Sequence, residues 1–157
     1  FSDSLRCATV SQYFAVFICG TNDGYCDIYS INNERFINSI FLGGLSAQKI
    51  IVTQKLGLIV IKTITDILVA TINGFVIKKI RFEPQFTEWI TWSSKEGLDY
   101  IAGSDVDGKI WSFEAYYPEK AVVVEHCYDL VVGLQYDDSI QCLLVVTMKP
   151  VLHIISV

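Results

Sequence analysis

Short runs of β-branched and aromatic residues recur along the whole chain, and Asp, Asn, Gly or Pro residues separate them. The clearest example is 98–114, where two such runs flank Asp107-Gly108. Because Gly adopts positive φ without steric cost, an Asp-Gly pair between apolar runs predicts a β-hairpin with a two-residue turn. No stretch of useful length shows the 3.6-residue period of an amphipathic helix. The pattern therefore predicts an all-β protein.

The hairpin pattern recurs at an interval of about 42 residues, which is typical of a repeat protein. Asp23-Gly24 lies 84 residues before Asp107-Gly108, twice this interval. Each repeat predicts strands a, b and c, and three repeats predict a further strand d. The predicted strands are a at 5–11, 47–53, 86–94 and 129–136; b at 14–20, 57–63, 98–104 and 140–147; c at 25–31, 67–72, 109–115 and 151–157; and d at 34–42, 75–83 and 120–126.

Four strands every 40–45 residues is the arrangement of β-propeller blades, which bury their faces by stacking around an axis. We predict a single partial propeller over 1–157, with repeats at about 5–43, 47–84, 86–127 and 129–157. The last repeat lacks strand d, and residues 1–4 are too short to supply it. Since the chain also opens without an initiator Met, we expect the C-terminal part of a ring of seven or eight blades. The alternative is a second copy that completes an eight-bladed ring.

The repeat resembles WD40 repeats in two features. One is its period of about 42 residues, and the other is the motif Ser104-x-x-Asp107-Gly108-x-Ile110-x-x-Phe113. The resemblance covers nearly the whole chain but is degenerate. No Trp-Asp dipeptide is present, and its position reads Tyr29-Ser30 or Phe113-Glu114. The resemblance implies WD40-like blades that act as a non-enzymatic scaffold for protein–protein interaction.

A narrower resemblance is to the C-terminal WD40 region of BEACH-domain proteins. One blade of that family resembles 72–77, which reads Ile-Asn-Gly-Phe-Val-Ile, and the following blade resembles 97–100 with 107–110 and 113–117. This resemblance implies a large cytoplasmic scaffold of vesicle and lysosome traffic, with other proteins as partners. It rests on two blades, because no BEACH residues are present.

Composition and charge narrow the function further. The chain is 52% hydrophobic with a net charge of −5, which argues against nucleic acid as a partner because phosphate neutralisation dominates such binding. The five cysteines are odd in number and lack a C-x-x-C spacing, so we expect reduced thiols in the core of a cytoplasmic protein. No apolar run is long enough to span a bilayer. No pattern indicates a cofactor or a resident metal.

Two groups of residues are the candidates for partner binding. Tyr116 and Tyr117 lie in a c-to-d connection, where we expect them to be exposed, and Tyr is favoured in interface anchors. Lys78, Lys79 and Arg81 lie on a strand d and, with Lys49, Lys55 and Lys62, make the second repeat basic. A basic outer strand is usually a solvated rim. The functional alternative is an acidic partner or weak peripheral association with an anionic membrane.

Other candidates are better explained by structure than by chemistry. His126-Cys127 cannot act as base and nucleophile, because neighbours on a strand point to opposite faces. Asp105-x-Asp107-Gly108 lacks the later ligands of a calcium loop, so we expect Asp105 to cap the turn or to be solvated. Three tryptophans, Trp89, Trp92 and Trp111, are expected in the core. We therefore predict no enzyme activity; the alternative is purely structural blades whose functional or catalytic site lies in blades outside this chain.

Overall fold

A computed structural model describes residues 5–157. Antiparallel strands form four separate sheets, three of four strands and one of three. The strands are β1 Leu5–Ser11, β2 Val16–Thr21, β3 Tyr25–Ser30 and β4 Phe36–Phe41; β5 Lys49–Val52, β6 Ile59–Lys62, β7 Asp66–Ala70 and β8 Val76–Arg81; β9 Phe86–Ser93, β10 Asp99–Asp105, β11 Lys109–Glu114 and β12 Val122–His126; and β13 Val131–Asp137, β14 Cys142–Thr147 and β15 Leu152–Ser156. A single 3₁₀ turn, Pro118–Lys120, lies between β11 and β12.

Within each sheet the strands follow one another in chain order, so every connection is a short hairpin. The four sheets therefore have the strand plan that the 42-residue period predicts, and the last sheet lacks a fourth strand, as expected. Strand limits differ from the predicted ones by at most two residues. The repeat limits and the single propeller over 1–157 stay predictions, and the expectation for residues 1–4 lies outside the described residues.

The chain divides into two compact units, 1–83 and 84–157. In the first unit, the sheets β1–β4 and β5–β8 share a core of small and aliphatic side chains. Its largest fully buried members include Ile18, Ile28, Ile59 and Ile61. Burying one such side chain contributes about 1.5–3 kcal/mol, so the packing of one sheet on the next is the main source of stability in this unit.

In the second unit, the sheets β9–β12 and β13–β15 share a separate core. Leu143, Val145 and Ile155 of the three-stranded sheet pack with Trp92 and Ile110 of the four-stranded sheet. The neighbouring residues along β14 and β15, which include Val146, Leu152 and Ile154, have exposed side chains on the opposite face of this sheet. Because successive side chains of a strand point to opposite faces of the sheet, only one face of this sheet packs into the core.

In several turns of this fold, the side-chain oxygen of the first residue accepts a hydrogen bond from a backbone N–H later in the turn. The Asp105 carboxylate accepts the backbone N–H of Lys109 at 3.0 Å, and Thr71 and Ser94 do the same for the residue four positions later. Gly108, the last residue of the turn, has φ +78°. The Gly108 N–H donates to the carbonyl oxygen of Asp105 at 3.1 Å, which closes a turn over 105–108. Since Ser104 and Ile110 form the last strand pair, the connection is five residues long rather than the predicted two.

Candidate protein-interaction surface

The basic residues of β8 are largely neutralised within their own sheet. Lys79 Nζ lies 3.2 Å from the Asp66 carboxylate on β7. Arg81 donates from Nε and Nη2 to Glu83 Oε1, at 3.0 and 2.7 Å. Two of the three predicted binding charges thus already face carboxylates, and Lys78 is half-buried. This favours the solvated-rim interpretation of β8 over a strongly basic binding surface.

Lys62, one of the residues that make the second repeat basic, is fully buried on β6. Its Nζ donates to the carbonyl oxygen of Phe82 at 2.8 Å and to that of Thr63. Burial lowers the pKa of Lys62 to about 8, and the nearby Asp66 carboxylate partly offsets this effect. Lys62 therefore adds to the basic count of the second repeat without adding a charge to its surface.

Tyr116 and Tyr117 form an edge-on pair in the connection after β11, with ring centroids 5.1 Å apart. The Lys120 ammonium lies over the Tyr117 ring, 4.5 Å from its centroid. Both tyrosines are half-buried, whereas the sequence predicted exposed side chains. The difference arises because the connection after β11 does not extend into solvent but turns at the 3₁₀ segment Pro118–Lys120. Their role in binding stays a prediction.

A crevice with a volume of about 420 Å³ opens in the second unit, next to this connection. Most of its walls are aromatic or aliphatic. Its lining residues are Trp92, Ser94, Lys95, Tyr100, Ser112, Phe113, Glu114, Lys120, Val122, Val124, Tyr136, Gln141 and Val157. Because Lys120 contacts both the crevice and Tyr117, the crevice and the predicted tyrosine pair belong to one surface.

Three stacked rings form one wall of the crevice. Trp92 of β9 stacks on Tyr100 of β10, with centroids 5.6 Å apart and planes at 19°. It also stacks on Tyr136 of β13, at 4.9 Å and 17°. The Trp92–Tyr100 contact follows from their direct pairing in the β9–β10 register, whereas the Trp92–Tyr136 contact joins the two sheets of the unit. Trp92 is thus in the core, as expected, and also forms part of a surface.

The charged side chains in the lining are those of Lys95, Lys120 and Glu114. Within residues 5–157, none of the three forms an ion pair. Burial raises the pKa of Tyr136, with Asp138 and Cys142 acting in the same direction, so its phenol stays protonated and can donate or accept a hydrogen bond. The lining contains no histidine, cysteine or aspartate. The lining thus combines aromatic and aliphatic surface with two ammonium groups and one acidic side chain.

The Asp105 carboxylate is enclosed by its own hairpin. It accepts hydrogen bonds from the backbone of Asp107 and Lys109, both at 3.0 Å, and from Trp111 Nε1 at 2.8 Å. The expectation of a capping role is therefore confirmed, while the solvated alternative is wrong because Asp105 is buried. Its oxygens point inward to donors, so they are not directed towards a shared cation.

His126 and Cys127 are separated in the way that the sequence predicts. The His126 ring stacks on Tyr128 at 3.8 Å, and its Nε2 lies 3.0 Å from the carbonyl oxygen of Asp107. Cys127 is buried in the core, which raises the pKa of its thiol. Across residues 5–157, no three His, Cys, Asp or Glu side chains cluster to hold a metal ion. No helix in the same range could cross a bilayer.

Comparison with solved structures identifies the architecture. The β-propeller domain of Myceliophteria thermophila Cps50 (Swd1) matches 98% of this chain and 52% of its own, with a TM-score of 0.76 and 13% identity. The chain has the fold of β-propeller blades. BBS1N, solved in complex with ARL6DN, matches 97% of this chain and 48% of its own, with a TM-score of 0.69 and 16% identity. The designed protein Ika4 matches 98% of this chain and 91% of its own, with a TM-score of 0.73 and 11% identity.

The sequence comparisons add no closer relationship. No protein-family model matches the chain, and no curated protein sequence does. The chain spans about half the length of the Swd1 and BBS1N chains it matches. At these identities the likeness establishes the fold, and the BEACH-type resemblance stays a prediction.

Most residues of the crevice were not candidates in the sequence. Tyr100 could have been found, because a turn at 94–97 pairs it with Trp92 across a hairpin. Tyr136 lies in the next repeat and carries no motif. Lys95 and Lys120 are single lysines in turns, where solvation is their ordinary role. Their convergence depends on how one sheet packs on the next, which the repeat pattern alone does not specify.

Proposed function

We propose that this protein is a non-enzymatic scaffold whose propeller blades present a recognition surface to other proteins. The observation that carries this proposal is the crevice of the second unit, with three stacked aromatic rings and the adjoining Tyr116–Tyr117 pair. Trp and Tyr dominate the energetics of protein interfaces because they bury large apolar surfaces and keep a polar end. The binding of BBS1N to ARL6DN is a precedent for protein recognition by this architecture.

The finer proposal is a role in a BEACH-type membrane-trafficking protein of the cytoplasm. It rests on the resemblance of the segments 72–77 and 97–117 to two blades of that family. The five cysteines form no disulfide within residues 5–157, and this agrees with a reducing compartment. Peripheral membrane association through β8 is a weaker part of the proposal, since Lys79 and Arg81 are already paired.

Two exposed apolar faces support further blades as partners, either of the same ring or of a second copy. On the first sheet, the rings of Tyr25 and Phe41 contact each other at a tilt of 43°, with centroids 5.2 Å apart, and the two residues are 40% and 60% exposed. On the last sheet, Val146, Leu152 and Ile154 are exposed on one face. Blades bury such faces by stacking, so we expect light scattering of the isolated chain to show self-association unless further blades cover these faces.

Affinity purification tests the scaffold proposal, with the double variant Tyr116→Ser/Tyr117→Ser beside the unchanged chain. We expect a set of proteins to bind the unchanged chain and to be lost from this variant, with circular dichroism confirming that the variant stays folded. The matched comparison is Lys78→Glu/Lys79→Glu/Arg81→Glu, which alters the other candidate surface. If both variants retain the same proteins as the unchanged chain, the binding surface lies elsewhere on the chain. If the unchanged chain retains no protein, the purely structural alternative is favoured.

Co-sedimentation with vesicles tests the membrane component separately. The unchanged chain and the triple Glu variant of β8 are mixed with vesicles that contain anionic lipid and with neutral vesicles. We expect weak, salt-sensitive binding to the anionic vesicles that disappears in the variant. Equal binding by the two proteins would remove β8 from the membrane proposal.

A further inference from the structure

The crevice of the second unit has features that specify the chemistry of its partner. We infer that it binds a short extended peptide segment carrying one large aromatic side chain between acidic residues. This inference deepens the proposed scaffold function and rests on it, because it names the partner chemistry of that surface.

The aromatic wall is the first argument. Trp92 is sandwiched between Tyr100 and Tyr136 with planes within 19° and 17° of parallel. Trp92 itself is 8% exposed, while the two tyrosines are half-buried and keep accessible surface. An incoming aromatic ring can therefore extend the stack, and such a pair is favourable beyond the apolar area that it buries.

Size and wall chemistry are the second argument. The volume of about 420 Å³ is at the low end of the range for ligand pockets, roughly 300–1,000 Å³. That is room for one large side chain and part of its neighbours, and too little for a folded element. Val122, Val124 and Val157 supply aliphatic surface for the same side chain.

Charge is the third argument. Among the side chains of the lining, Lys95 and Lys120 stand against one acidic residue, Glu114, and the neighbouring Glu96 and Glu119 do not line the crevice. Neither lysine is held by an ion pair within the described residues, and Lys120 is placed over the Tyr117 ring. Two ammonium groups beside an aromatic site favour a partner whose aromatic residue has acidic neighbours, and disfavour a basic one.

Fluorescence anisotropy with labelled peptides tests the inference on the whole 157-residue chain. The probe is a five-residue peptide with tryptophan at its centre and two acidic residues on each side. One control peptide has alanine at the centre, and the other has lysines in place of the acidic residues. We expect the probe to bind at least tenfold more tightly than either control.

Two pairs of variants place the binding in the crevice. Val122→Trp fills the crevice from the exposed strand β12, and Val123→Trp is its matched control, since Val123 is also exposed but does not line the crevice. We expect the first to abolish probe binding and the second to leave it unchanged. Lys95→Glu/Lys120→Glu should weaken binding about tenfold, because exposed charges contribute up to about 1 kcal/mol each. The charge-matched control is Arg35→Glu/Lys149→Glu.

The outcomes separate this inference from the proposed function. Equal binding of the alanine-centred peptide, or unchanged binding by Val122→Trp, overturns the crevice as the peptide site. If affinity purification still recovers proteins that depend on Tyr116 and Tyr117, the scaffold proposal stands without the crevice. If the chain binds neither the probe nor any protein, both fail.

Discussion

Buried Lys62 makes a prediction about the pH dependence of stability. The variant is Lys62→Met, which keeps the length of the side chain and removes the ammonium group. In the folded chain the Lys62 Nζ is surrounded by protein and donates to the carbonyl oxygens of Thr63 and Phe82. Its pKa falls from 10.5 to about 8, so the folded state disfavours the charged form relative to the unfolded chain.

The sign and size of the effect follow from proton linkage. Below about pH 8 both states are protonated, and the folded state carries the full cost of burying the charge. Between about pH 8 and pH 10.5 the folded state releases its proton first, so the unfolded state binds more protons and stability rises with pH. At about 1.4 kcal/mol per pKa unit, the cost is about 3 kcal/mol at pH 7 and about half of that at pH 9.5.

The assay is urea unfolding of the two proteins between pH 7 and pH 9.5, followed by far-ultraviolet circular dichroism. Tryptophan fluorescence is unsuitable, because Trp89, Trp92 and Trp111 all lie in the other unit. Burial raises the pKa of the Cys19 and Cys127 thiols, and raised thiol pKa values lower stability as pH rises. Both proteins contain these cysteines, so the difference between the two unfolding free energies isolates Lys62.

We expect the unfolding free energy of wild type relative to Lys62→Met to increase by about 2 kcal/mol from pH 7 to pH 9.5. A difference that stays constant over this range would show that Lys62 has an ordinary pKa and that its burial is relieved by water. A difference that decreases would refute the sign of the argument.

Two further predictions concern the hairpin of 105–108. Gly108→Ala should lower the free energy of unfolding by at least about 3 kcal/mol, because its Cβ would lie 2.3 Å from the carbonyl oxygen of Asp129. The control is Gly97→Ala, which has a similar positive φ but open space around the Cβ, and it should cost only about 1–2 kcal/mol. Equal losses in urea unfolding would contradict the clash. Asp105→Ala should cost about 2–4 kcal/mol, because it leaves Trp111 Nε1 and two backbone N–H groups without their acceptor. Unfolding within about 0.5 kcal/mol of wild type would show that water replaces the carboxylate.

The strand plan was predictable from sequence because its signals are local. A period of two along each strand and turn residues at fixed offsets are properties of a few neighbouring positions. Register within a hairpin is also local, which is why the Trp92–Tyr100 contact follows from a turn at 94–97. The third ring of the stack, Tyr136, comes from another sheet, and no local signal specifies which side chains meet there.

The charged residues of β8 are a second case in which the sequence pattern did not specify the contacts of the side chains. Lys79 and Arg81 were expected to present free charge on an outer strand, yet Asp66 and Glu83 lie close enough to pair with them. Asp66 is opposite Arg81 in the β7–β8 register, so a local carboxylate was present in the predicted hairpin. A count of Lys and Arg along one strand therefore overstates a binding surface unless the acidic residues of the adjacent strand are counted too.

The position of Lys62 illustrates how the residue at one place in the repeat changes while the strand plan recurs. Gly20, Lys62, Ser104 and Val146 occupy the same place near the end of strand b in the four sheets. A Cβ on Gly20 would lie 2.6 Å from the Ala47 side chain, so that sheet has no room. Ser104 instead uses its hydroxyl to bond β9, Lys62 reaches two carbonyl oxygens, and Val146 is 40% exposed. The four positions thus have four different surroundings, so the backbone plan recurs while the residue identity at this place does not.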